Sequence, residues 1–253
     1  MRAAGINTLT TTTTIITDML TRTTTTELSA AALYRLTTWL SPAYPVGGFA
    51  YSGGIEWAVE AGDITSPETL RGWLETMLGH GAGLNDAILF AQAYRAVADN
   101  DDAKLADIVE LAAALVPTRE RHLETTTLGR AFVDVTSAAW PCDALARLQD
   151  IANGPVAYPI AVGVACAGHD IPLEPALHAF LAALTSSWIS AAVRLVPLGH
   201  TDSQHTLRAI EPADARTAQR ALAATLDDLG SATFRADIAS ARHETQYTRL
   251  FRS

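Results

Sequence analysis

The chain is poor in the residues on which most catalysis and most nucleic-acid binding depend. Lys104 is the single lysine among 253 residues, which removes the usual Schiff-base or phosphate-clamp candidate. Cysteine occurs only as Cys142 and Cys166, with no CxxC pair; that excludes a disulfide framework and a zinc knuckle and fits a reducing cytoplasm. Charged residues make up 18%, against about 25% in an average soluble domain, so a partner is expected to cover part of the surface. Basic residues are outnumbered 18 to 27, for a net charge of −9. That balance argues against nucleic-acid binding and against an anionic membrane surface.

The common catalytic motifs are also missing. The double glycines, Gly47-Gly48 and Gly53-Gly54, lack the lysine of a phosphate loop, so nucleotide hydrolysis is not expected. His243-Glu244 is followed by Tyr247 where a zinc protease needs its second histidine, and Ser52, in YSGG, has no nucleophile elbow. No catalytic, cofactor-binding or metal-binding residue is therefore assigned, and the chain is expected not to be an enzyme. The run Pro175–Val193 carries no Asp, Glu, Lys or Arg over 19 residues, close to a bilayer-spanning length. His178, Thr185, Ser186, Ser187 and Ser190 interrupt it, so a buried helix is expected rather than a membrane span. No apolar signal-peptide core follows Met1, and the expected location is cytoplasmic.

What the chain does have is alanine, 47 residues of it, with apolar side chains recurring at three- and four-residue steps. This predicts an all-α fold, one compact bundle-like domain of about ten helices. Twelve threonines between Thr8 and Thr26 mark residues 1–26 as a disordered segment. A first helix through Leu33, Leu36 and Leu40 must stop near Ser41, because Pro42 disfavours helical geometry before it. A short helix covers about 53–61. Ser66, Pro67 and Glu68 start another, with a capping hydroxyl, a proline at the first position and an acid in the first turn. Further helices are expected at about 84–98, 102–115, 118–139, from Pro141 to Ala152, 156–167, 173–195 and 212–229. The folded domain spans 27–232, and residues 233–253 form a flexible tail that binds a partner.

Two segments stand out. In SPAYPVGGFAYSGGIEWAVEAG, residues 41–62, two prolines, five glycines and four aromatics crowd a loop and a short helix. Pro42, Pro45, Gly47 and Gly48 give a stiff turn. Spacing leaves open whether Phe49 and Tyr51 plug the core or are presented for recognition. The second segment, 235–253, carries Arg235, Arg242, Arg249 and Arg252 against Asp237 and Glu244, a net of +2 on a body of −11. Its arginines are free to pair with the acidic body, but Tyr247, Leu250 and Phe251 among them favour a segment that orders on a partner.

These segments resemble signatures of the UreF family of urease accessory proteins. SPAYPVGGFAYSGGIEWAVEAG is similar to the family's N-terminal signature, SAAVRLVPLG at 190–199 to its central one and RHETQYTRLFRS at 242–253 to its C-terminal one, with LGR at 128–130 a weaker match. The resemblance implies a helical, non-catalytic homodimer that binds a UreD/UreH-type partner, recruits the UreG GTPase and regulates GTP-dependent nickel insertion into apo-urease. Nickel is then handled by the complex, with no cofactor held tightly by this chain. It further implies that Tyr51, Ser52, Glu56, Arg235, His243, Glu244, Tyr247, Arg249, Phe251 and Arg252 take part in partner binding. Within that set Tyr51, Glu56, Arg249 and Arg252 lie together as a docking surface for the GTPase. Arg194, in the central signature, is expected to make a structural ion pair. The rival readings are a helical small-molecule-binding protein or enzyme with a pocket under the 41–54 loop, and an oligomeric structural protein with no metal connection.

Overall fold

In the computed structural model, which describes Met1 and residues 27–196 and 198–253, every regular element among the described residues is helical. The expected disorder of residues 1–26 concerns residues that, Met1 aside, lie outside those described. The helices are α1 (Ala30–Trp39), α2 (Ile55–Glu60), α3 (Pro67–His80), α4 (Ala82–Ala98), α5 (Asp102–Ala114), α6 (Arg119–Ala139), α7 (Asp143–Ile151), α8 (Tyr158–Gly168), α9 (Leu173–Val193), α10 (His200–Ala223) and α11 (Phe234–His243). The start of α3 follows the sequence signal: Ser66 Oγ accepts from the Thr69 N–H while Thr69 Oγ1 accepts from the Ser66 N–H, a reciprocal cap.

The centre of the fold is α4 against α8. Both are apolar on nearly every face, as helices enclosed by other helices must be, and residues Pro159–Cys166 are all buried. A Cβ on Gly163 would stand 2.6 Å from the Phe90 carbonyl oxygen, so glycine is what lets the two backbones approach this closely. Gly129, in the middle of α6, plays the same part against Val156, whose carbonyl oxygen would be 2.0 Å from a Cβ there. Around this pair lie α3, α6, α9 and α10. Side chains also close helix ends across the core: Gln92 and Arg95 donate to the carbonyls of Leu222 and Ala224 at the end of α10. Thr217 and Arg220 donate to those of Leu78 and Gly79 at the end of α3.

Helix α10 differs from expectation. A helix was expected from about 212 to 229, with Pro212 as its start, but it runs from His200 to Ala223 with Pro212 inside, and residues 226–228 form a separate 3-10 turn. Proline in a helix interior costs about 3 kcal/mol. Here Pro212 and Arg208, whose carbonyl loses its donor, are both exposed residues, and the buried stripe Ile210, Ala213, Thr217, Ala218 and Ala221 continues past them. Helix α9 is long and apolar enough to cross a membrane by length and composition, and half of it is buried in the body, including Phe180, Leu181, Trp188 and Ile189. Both cysteines are free, and Cys166 is fully buried.

Between α9 and α10 the Thr185 hydroxyl donates to Asp214 Oδ1 at 2.8 Å, and burial pushes the Asp214 carboxyl up to about 6. The folded protein therefore holds a proton that the unfolded chain has released. This contribution to stability is fully present below about pH 4 and is lost as pH rises through 6. Asp214→Asn keeps an acceptor for Thr185 and cannot ionise. We expect the variant to be more stable than the parent by about 2–3 kcal/mol at pH 8, with the gap closing toward pH 4. Denaturant midpoints measured across that range check this.

Candidate functional site

The loop after α1 turns tightly before entering α2. Gly47, Gly53 and Gly54 all have positive φ, at 80°, 61° and 83°, a region that costs side-chain-bearing residues roughly 1 kcal/mol or more. Gly54 has a second constraint, since a Cβ there would lie 3.0 Å from the backbone nitrogen of Ser240 in α11. Glycine thus lets the loop both turn and touch the C-terminal segment. That segment does not project from the body. Helix α11 packs on α2 and α6, and residues 244–253 run back across the loop as a strap.

Glu56 on α2 is the hub of the junction and is only 6% exposed. Its carboxylate accepts from the backbone N–H of Leu250 at 2.6 Å and of Phe251 at 3.0 Å, and its Oε2 lies 2.9 Å from His243 Nε2. The other ring nitrogen of the fully buried His243 faces Glu120 Oε2 at 3.4 Å, and Arg249 reaches Glu120 Oε1 at 3.2 Å. Ser52 donates from its N–H, at 2.8 Å, and from its hydroxyl to the Ser253 carbonyl. The Arg252 N–H donates to the Ala50 carbonyl at 2.7 Å, and the Ser253 hydroxyl to Glu124 Oε2 at 3.0 Å. Beneath the strap Arg121 pairs with Asp86 and, at 3.0 Å, with Glu124. Burial raises the Asp86 pKa although Arg121 opposes it, and the two carboxylates hold Arg121 above its ordinary value although burial pulls it down.

The sequence-assigned residues therefore divide by exposure. The strap carrying Arg249 and Arg252 lies against the segment carrying Tyr51 and Glu56, and Tyr51, Ser52, Glu56, His243 and Phe251 are buried in the loop–strap junction. Arg235, Glu244, Tyr247, Arg249 and Arg252 are exposed, with Arg249 reaching into the junction at Glu120. Arg235 pairs with Asp63, whose carboxyl it holds below the usual range, and Glu244 pairs with Arg119 at 3.1 Å. The pairing of tail arginines with the acidic body is thus realised for Arg235 and Arg249. Arg194 needs correction. It makes no ion pair among the described residues; its guanidinium donates to the Phe49 carbonyl at 2.9 Å and lies 4.3 Å from the centre of the Phe251 ring. An arginine that follows a long uncharged helix reads as a charge in need of a carboxylate, but an aromatic face and a loop carbonyl satisfy it here.

Sequence reading missed two groups of residues. Glu120, Arg121 and Glu124 form the charged floor, and their spacing in TRERHLETTT, which places them on about one turn of α6, was the available signal. Phe234 and Ile238, four apart on the outer side of α11, are 74% and 58% exposed, and their spacing is that of a helical contact stripe. Under the 41–54 loop lies a cavity of about 220 Å³, with Tyr44, Tyr51, Tyr158, Phe180, Trp188 and Phe251 among its walls. Among the described residues no group of three or more His, Cys, Asp and Glu is arranged to hold a metal ion.

The loop (41–62), the end of α9 with Arg194, and the strap (242–253) thus meet at one place, joined by contacts from Phe49, Ala50, Ser52 and Glu56. The family model UreF matches residues 64–211. Among curated relatives, the urease accessory protein UreF of Bradyrhizobium diazoefficiens is 64% identical over 224 residues, covering 88% of this chain and 93% of its own length. The protein of the same name from Rhodopseudomonas palustris strain BisA53 is 64% identical over 224 residues, covering 88% and 94%. That from Bradyrhizobium sp. strain ORS 278 is 60% identical over 223 residues, covering 88% and 92%. These are the names of accessory factors and not of catalysts. With more than half of the chain inside the family model and this identity sustained over nearly the whole of each relative, the chain belongs to the UreF family of urease accessory proteins.

Proposed function

We propose that the protein acts in the cytoplasm as a scaffold: with a UreD/UreH-type partner it recruits the UreG GTPase and regulates GTP-dependent nickel insertion into apo-urease. It works as a homodimer, binds no cofactor tightly and leaves nickel to the complex. The observation that carries this reading is the convergence of loop, α9 end and strap, three segments far apart in sequence, on one surface with arginines outermost. Nothing in such a surface performs covalent chemistry. Arg249 and Arg252 offer planar forks for carboxylates or carbonyls of a partner. Glu56, Ser52 and His243 act from below by holding the strap, and Arg235, Glu244 and Tyr247 extend the surface along it. The exposed pair Phe234 and Ile238 supplies an apolar stripe for the UreD-type partner.

Light scattering on size-exclusion peaks of the full chain co-expressed with its UreD-type partner tests the reading, with a heterocomplex of two copies each expected. Phe234→Asp combined with Ile238→Asp should separate the two proteins. Arg249→Ala should abolish capture of the GTPase while the isolated chain stays folded by far-UV circular dichroism, with some loss of melting temperature because Glu120, 6% exposed, loses its arginine partner. Undiminished capture by Arg249→Ala removes the GTPase surface from the proposal, and two free proteins in the unmutated sample overturn the partnership.

A further inference from the structure

The cavity under the 41–54 loop is open to solvent, with the exposed residues Pro42, Phe49, Ser190 and Arg194 on its rim. Its interior is aromatic, with Tyr44, Tyr158, Phe180 and Trp188 among the walls, and its volume is about 220 Å³. An apolar cavity of roughly 150 Å³ already holds a benzene ring. At the floor stand Asp86, Arg121 and Glu124, where two carboxylates share one guanidinium, so no positive charge is left over there for an anion. The mouth is the opposite. Ser187, Ser190 and Arg194, three and four residues apart, follow one face of the end of α9, and all three line the cavity. The Arg194 guanidinium is held in place by its bond to the Phe49 carbonyl and by its seat 4.3 Å from the centre of the Phe251 ring. Neither contact is a carboxylate, so its charge is unneutralised among the described residues.

We propose that this cavity binds a small aromatic carboxylate, its ring among the aromatic walls and its carboxylate at the mouth on Arg194 and Ser190. A guanidinium already fixed by two contacts loses little freedom on binding, and its pair with a carboxylate is a charge-assisted one. Aromatic walls favour a ligand ring over an aliphatic chain of the same area, through edge-to-face and offset contacts. The floor sets the orientation, because an acid group turned inward would meet Asp86 and Glu124. The site belongs to the isolated chain and needs none of the proposed partners.

The test titrates the full chain with 3-phenylpropionate and follows the indole N–H resonances of its five tryptophans, the Trp188 signal being assigned by its loss in Trp188→Phe. Saturable binding with a Kd of about 1 mM or tighter is expected for a ligand of this size, with the Trp188 signal shifting as the site fills. Neutral 3-phenyl-1-propanol, which keeps the ring and the chain, should bind at least tenfold more weakly. Arg194→Gln, a change at an exposed residue, should weaken the acid at least tenfold and leave the alcohol as it was, a contrast that general damage to the fold does not produce. A titration with the acid that does not saturate overturns the site, and so does saturation without a shift at Trp188. Equal affinities for acid and alcohol, or an Arg194→Gln variant that keeps the acid or loses both ligands alike, overturn it as well.

Discussion

Gly129→Ala is expected to destabilise the protein by about 3 kcal/mol or more and to lower its melting temperature by roughly 10 °C. On an open helix the same change stabilises by about 1 kcal/mol, so the sign depends on what surrounds the site. The new Cβ would lie 2.0 Å from the Val156 carbonyl oxygen and 2.9 Å from the Ala157 carbonyl carbon and the Tyr158 nitrogen. All three are backbone atoms, so no side chain can swing aside, and α6 must move away from the entry to α8. That separation loosens the bond from the Tyr158 N–H to Thr125 Oγ1 at 3.2 Å and the edge-to-face contact of Phe132 with Tyr158 at 5.8 Å. Gly72→Ala on α3, where nothing lies within 4 Å of the added carbon, is the matched control and should stabilise. Thermal melts of the two variants check the contrast, and equal melting temperatures would show that α6 does not approach α8 this closely.

Glu56→Ala should release the strap while the helical body remains. The substitution strips one imidazole and two backbone N–H groups, all in the buried junction, of their acceptor. A buried donor left unsatisfied costs about 1–3 kcal/mol, so the loss exceeds what a strap with one apolar anchor can absorb. We expect trypsin to cut after Arg249 and Arg252 at least tenfold faster, the amides of Leu250 and Phe251 to exchange freely, and far-UV circular dichroism to change little. Capture of the GTPase should fall with it, because Arg249 and Arg252 lose their fixed positions. A strap as resistant to trypsin as in the parent would show that Glu56 is not its latch.

Much of the helical pattern was legible because it depends on neighbours in sequence. The Ser66–Thr69 cap, the proline at 67 and the apolar stripe of α3 all follow from spacings of three and four residues. Pro212 misled because the rule for proline is local, whereas its tolerance in α10 comes from an exposed position and a buried stripe that continues on both sides. Arg194 misled for the same reason, since its partners Phe49 and Phe251 lie 145 and 57 positions away. The site residues were legible as a set but not in their roles. A glutamate on a short helix next to glycines reads as a surface group, and only the returning strap turns Glu56 into an interior one.

The sequence by itself determined the all-helical class, most helix positions, the absence of familiar catalytic motifs and the family, because composition, periodicity and short motifs are properties of the chain read in order. The tertiary structure alone decided which signature residues face outward and which are consumed in holding the surface together. It also decided that Gly129 and Gly163 mark helix crossings and that Phe251 lines a cavity. Those facts depend on which atoms meet when segments distant in sequence pack together, and burial, unlike helix propensity, is a property of the pair and not of either segment.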